Sequence, residues 1–222
     1  MSTVTVTAAD SVLGLQTLDE LVMHLGNIPP SRIRIHPEPG TATSADALEV
    51  ARREGKLCEV IDGVLVEKPM GYYESRIALI LGRYLDEYLE QNDLGIATGA
   101  DGPLHVNGGQ LRYPDLAFFA WGHFPNRVLP RNPILDHVPD LAVEVLSASN
   151  TAAEMERKRG EYFGGGARLV WEIDPDDRTI RVYTAVDQFT QLRDGDMLDG
   201  GSVLPGFMLP VTRLFDRAGA RA

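Results

Sequence analysis

The apolar positions of this chain change period several times, and each change marks an element. Leu57-Cys-Glu-Val-Ile61 and Val64-Leu-Val-Glu67 are short apolar runs on either side of Asp62-Gly63. That dipeptide predicts a tight hairpin, because glycine accepts the positive φ such turns require. From Glu74 the spacing becomes helical: Ile77, Ile80, Leu81, Tyr84, Leu85, Tyr88 and Leu89 share one face of a long amphipathic helix ending near Gln91-Asn92. Gly95 to Gly109 reads as a short strand and turns, and Gln110 to Ala120 as a second apolar strand. Pro114 lies within it and lacks a ladder amide. It therefore belongs at a strand start, edge or bulge, where the next side chain, Asp115, is re-aimed.

Pro139-Asp-Leu-Ala-Val-Glu-Val-Leu-Ser147 is the most informative run. With period two, Leu141, Val143 and Val145 take one face and Ala142, Glu144 and Leu146 the other, so Glu144 sits in a strand apolar on both sides. A buried carboxylate needs a cation, hydrogen-bond donors or a proton. Thr151-Ala-Ala-Glu154 is a capping box opening a helix from Ala152 to Phe163, stopped by Gly164-Gly-Gly166. Arg168 to Ile173 and Thr179 to Tyr183 form another hairpin. The later apolar residues, Phe189, Leu192, Val203, Phe207 and Leu209, read as small strands packing on the core.

Ahead of the first hairpin, Thr17-Leu-Asp-Glu20 caps a short helix, a proline-bearing stretch follows, and a second helix spans Ser44 to Glu54. The order predicts an α/β (α+β mixed) domain: a mixed sheet flanked by helices, with an N-terminal helical extension at 1–56, a main domain at 57–215 and a tail at 216–222.

Composition narrows the function classes. The chain has 222 residues, 44% of them hydrophobic, which suits one globular domain with an extension. No apolar run approaches the ~20 residues of a membrane span, and Met1 to Thr7 lack the pattern of a signal peptide, so a cytoplasmic location is expected. The lone cysteine, Cys58, excludes an intramolecular disulfide and reads as a buried filler. A formal charge of -11 with no basic block weighs against a protein living on duplex nucleic acid, unless a metal ion or a local basic site compensates.

Asp115, Glu144 and Lys158 are the residues to place together. Two carboxylates on neighbouring strands can hold a hard divalent cation such as Mg2+. A lysine beside that ion can stabilise charge as a phosphodiester is attacked. Asp140 is a poor substitute for Asp115, since four residues along one strand put it about 13 Å from Glu144. The plainer readings are a turn residue for Asp115, a structural pair or a neutral carboxyl for Glu144, and a surface ion pair with Glu154 for Lys158. Tyr162 reads as core packing, and the loop residues His123, Arg127, Arg131 and His137 as solvated.

The ordered motifs Glu59-Val-Ile-Asp-Gly63, Pro114-Asp115, Pro139 to Ser147, Lys158-x-x-x-Tyr162 and Leu169-Val-Trp-Glu-Ile-Asp-Pro175 resemble the Uma-type restriction endonuclease family. That family is a branch of the PD-(D/E)XK nuclease-like superfamily, and the resemblance covers roughly 57–215. It implies a restriction-endonuclease-like sheet with added β-hairpins, Mg2+ or Mn2+ on Asp115 and Glu144, Glu59 as a further member of the metal cluster, and nucleic acid, DNA first, as substrate. Leu146 stands where the superfamily has lysine, and the resemblance gives that role to Lys158. Glu74 stands where many relatives have histidine. The expectation is a metal-dependent endonuclease, with a homodimer as its assembly. The alternative is a catalytically inactive, homo-oligomeric binding module on the same fold.

Overall fold

The computed structural model describes residues 13–69 and 71–219. Residues 1–12 of the extension, Met70 and the last three residues of the tail lie outside the described residues. In chain order the elements are α1 (Leu18–His24), α2 (Ser44–Glu54), β1 (Cys58–Ile61), β2 (Val64–Glu67), α3 (Tyr72–Asn92), β3 (Gly95–Thr98), β4 (Leu104–His105), β5 (Leu111–Arg112), β6 (Leu116–Ala120), β7 (Leu141–Val145), α4 (Ala152–Gly164), β8 (Leu169–Asp174), β9 (Thr179–Ala185), β10 (Gln188–Leu192), β11 (Met197–Asp199), β12 (Met208–Pro210) and α5 (Val211–Ala218).

The main sheet runs β10-β9-β8-β7-β6-β3 and is antiparallel except for the β7–β8 pair. A parallel pair needs a crossover, and α4 is that crossover. One face of this sheet packs Phe118, Val143 and Trp171 against Leu81 and Leu85 of α3 and Phe215 of α5. The other face packs Ala117, Phe119, Ala142 and Val170 against Tyr162 of α4. The sheet is therefore covered on both sides, which is why β7 is apolar on both faces.

A second sheet, β2-β1-β5-β4, carries the predicted hairpin, with Asp62 and Gly63 at φ +49° and +72° as its type of turn demands. The stretch Gln110 to Ala120, read as one strand, is two: β5 pairs with β1 and β4, whereas β6 pairs with β3 and β7. Pro114 lies at the break, and its missing amide hydrogen ends one ladder before the next begins.

The extension shares its core with this second sheet. Leu21, Leu25 and Ile28 pack on Ile61, Val64 and Val66, while Ala47 of α2 packs with Cys58, Val60 and Leu65. The C-terminal part also departs from the reading as strands alone. α5 buries Val211, Leu214 and Phe215, and Asp216 to Ala218, assigned above to the tail, complete that helix.

Candidate active site at the β6–β7 end

Leu116 faces Val143 as the last pair of the β6–β7 ladder, and Asp115 lies one step outward, beside Glu144 and Val145. The ladder is closed by Asp115 itself: its amide donates to the Val143 carbonyl at 2.9 Å, and its Oδ2 accepts from the Val145 amide at 2.7 Å. The Asp115 side chain is thereby fixed by backbone.

Helix α4 supplies the rest. Its capping box, Thr151 with Glu154, sets where the helix starts, and Lys158 and Tyr162, four residues apart, then face β7. Lys158 Nζ lies 3.2 Å from Glu144 Oε2 and 3.0 Å from Glu59 Oε1. The Tyr162 hydroxyl donates to Glu144 Oε1 at 2.7 Å. Lys158 thus points inward to the strand carboxylate and not to the surface, where a pair with Glu154 would have left it.

Glu59 is wholly buried. Its Oε2 accepts from Arg112 Nη1 at 2.8 Å, and Arg112 in turn forks onto Glu161 at 2.6 and 2.9 Å. With Oε1 against Lys158 and Oε2 against Arg112, Glu59 does not fit the metal-ligand role expected of it. It fits as the anchor that holds Lys158 in place.

On the cleft side, Lys68 Nζ pairs with Asp115 Oδ1 at 2.8 Å and donates to the Ala100 carbonyl at 3.2 Å. Glu74, third residue of α3, folds its carboxylate back over Gly71, where any Cβ would collide with it. Asp140 is held at the opposite end of β7 by Arg168, His123 and the Ala120 amide. Arg127 pairs with Asp93, and Arg131 is exposed.

The charges explain the protonation pattern. Asp62, Glu59, Glu161 and Asp115 are matched by Arg157, Lys158, Arg112 and Lys68; Glu144 is the carboxylate left over, sharing Lys158 with Glu59. Burial, with the negative charges of Asp115 and Glu59, pushes the Glu144 carboxyl up to about 7 against the pull of Lys158. Burial acts on Glu59 in the same direction, but Lys158 and Arg112 outweigh it and hold that carboxyl at about 2. Burial would lower the Lys158 ammonium, yet Glu144 and Glu59 raise it above its ordinary range. Tyr162 is raised well above the ordinary phenol, by burial first and then by Glu144 and Glu59, so its hydroxyl keeps the proton it donates.

Among the described residues no group of three or more histidine, cysteine, aspartate or glutamate side chains is set to hold a metal. Two neighbouring carboxylates with one surplus negative charge suit a hard ion that keeps several waters and binds through one or two carboxylates plus substrate phosphate, the habit of Mg2+.

Residues 44–212 match the family model Uma2, described as "Putative restriction endonuclease". The chain belongs to the Uma2 family. The match begins at α2, earlier than the first hairpin, so this second helix is part of the family unit of the Uma2 chain. The fold is also that of a crystal structure described as a putative nuclease belonging to DUF820 from Anabaena variabilis ATCC 29413, at 20% identity and a TM-score of 0.65, covering 73% of this chain and 91% of that one. No curated protein matches the chain. Among the described residues of this Uma2 member, no helix is long and apolar enough to cross a membrane.

Three residues of the site escaped the sequence reading or were misweighed in it. Arg112 stands in an apolar run, the same signal that exposed Glu144. Tyr162 is packed in the core as expected, but its hydroxyl is aimed at Glu144. Lys68 follows β2 with no local signal, and only the fold brings it to Asp115.

Proposed function

We propose that this chain is a divalent-metal-dependent nuclease hydrolysing phosphodiester bonds of nucleic acid, with Asp115 and Glu144 as the ligands of Mg2+ or Mn2+. The observation that carries this reading is the neighbouring carboxylate pair, with Asp115 held on the Val145 amide and the buried lysine on Glu144. Family membership and the shared nuclease fold support it. A bound ion would supply Lewis acidity toward the phosphoryl oxygen and acidify a water molecule.

The chain's own residues do the remainder. The Val145 amide aims Asp115, and the Tyr162 hydroxyl fixes one oxygen of Glu144, leaving each carboxylate oxygen a second lone pair free to bind. Lys158, kept cationic by Glu144 and Glu59, offers positive charge where water attacks phosphorus and the P–O ester bond breaks. Glu59 and Arg112 act as positioning residues that hold Lys158 at this depth. The lysine absent at Leu146 is thus replaced from α4, across the same carboxylate.

The test is cleavage of single- and double-stranded DNA and RNA with Mn2+ or Mg2+, comparing wild type with Asp115→Ala and Glu144→Ala proteins purified identically. Cleavage confined to the wild type is expected. Equal cleavage by all three proteins overturns the assignment, and no cleavage by any of them favours the binding module.

A further inference from the structure

We propose that the cleft opening beside Asp115 is a subsite for an unpaired nucleobase, so that the strand cut at the carboxylate pair is single-stranded or locally unpaired. The inference rests on the nuclease reading and adds the substrate class to it. The cleft encloses about 660 Å3, and its apolar walls are Leu57, Ala78, Leu79, Ala97, Leu116 and Val145. That size lies within the range of small-molecule pockets, roughly 300–1,000 Å3. It has room for a flat base.

The charges point the same way. Duplex binding draws its affinity from neutralised phosphates. This cleft instead carries Glu74, Asp86 and Asp101 beside Asp115, against Lys68 and Arg83 alone, and Lys68 is held by Asp115. Elsewhere Arg32, Arg112, Arg157, Arg159, Arg168 and Arg178 are spent on internal ion pairs of 2.6 to 3.0 Å. With a net charge of -11, two phosphate backbones meet more repulsion than one. A single strand needs one phosphate at the reaction centre, and its next base can contribute through an apolar face, which all bases possess. Leu79 is 66% exposed on a cleft wall, where such a face would cover it.

The experiment measures binding by fluorescence anisotropy with Ca2+ as the divalent ion. The probes are a labelled eight-nucleotide thymidine strand, its uridine counterpart, an abasic strand of equal length and a duplex. We expect the base-bearing strands to bind at least about tenfold more tightly than the abasic strand and the duplex, a difference of the size one base contact supplies. Leu79→Ser, a surface change, and Ala78→Phe, which fills the cleft, should both erase that preference while Mn2+ affinity stays unchanged. Equal binding of base-bearing and abasic strands, tighter binding of the duplex, or no binding of any probe overturns the inference; the thymidine and uridine arms tell DNA from RNA. Base-dependent binding in a protein whose Mn2+ affinity ignores Asp115→Ala would keep the subsite and remove the hydrolytic reading.

Discussion

Glu144→Gln in metal-free protein should stabilise the fold at alkaline pH and not at acid pH. The Glu144 carboxyl rises from an ordinary 4.5 to about 7, with burial as the largest cause. Folded protein therefore binds a proton that the unfolded chain has released between those values. The unfolded state holds fewer protons, so stability falls as pH climbs through this window and the loss is complete above about 7. At 1.36 kcal/mol per pH unit, the ionised carboxylate costs about 3 kcal/mol. Glutamine removes the charge and keeps the shape. Its carbonyl can face Lys158, its amide can donate to the Tyr162 oxygen, and Lys158 retains Glu59 at 3.0 Å. Glu59, whose low value stabilises the fold above 4.5 and ceases to do so as pH falls, is present in both proteins and largely cancels.

The assay is urea unfolding with a chelator at pH 4.5, 6 and 8.5. The variant should match wild type or fall slightly below it at pH 4.5 and exceed it by up to about 3 kcal/mol at pH 8.5. Saturating Mn2+ should then raise the wild type by mass action and leave the variant nearly unmoved. A difference that does not change with pH, or a wild type that is the more stable at pH 8.5 without metal, refutes the view that Glu144 is the uncompensated charge.

Two further outcomes follow from the same network. Lys68→Met removes the cation on Asp115 Oδ1 and should tighten Mn2+ binding about tenfold, roughly 1.4 kcal/mol, in titration calorimetry without nucleic acid; unchanged affinity would mean Lys68 does not compete for that oxygen. Arg32→Ala strands Glu154, 1% exposed, without its bidentate partner, and should cost about 3–5 kcal/mol at pH 7. Arg32 holds the Glu154 carboxyl below its ordinary value against burial, so that contribution is present above about 4.5 and lost as pH falls. The deficit in urea unfolding should shrink at pH 4, and a deficit equal at both values would point to lost packing instead.

The parts legible from sequence are those a few neighbouring residues decide. The capping boxes at Thr17 and Thr151, the Asp62-Gly63 turn and the helical period from Ile77 to Leu89 each carry their cause within one or two turns of chain, and each element forms. Glu144 was legible for a different reason: a charge inside a doubly apolar strand contradicts its surroundings, and contradictions of that kind mark sites. Arg112 carries the same contradiction between Leu111 and Tyr113 and is wholly buried, yet its meaning depends on Glu59, 53 residues away. Arg32 meets Glu154 across 122 residues, and Lys68 meets Asp115 where one sheet ends against the other. What the sequence hides is partnership at long range. Pro114 illustrates the boundary: its missing amide announces a break, but whether the break bends one strand or hands the chain to a second sheet depends on β1 and β7, which no local signal names. That hand-over puts Arg112 and Asp115 three residues apart on two sheets. One anchors the lysine through Glu59 and the other is held on the Val145 amide beside Glu144, so the candidate site exists because the strand is broken there.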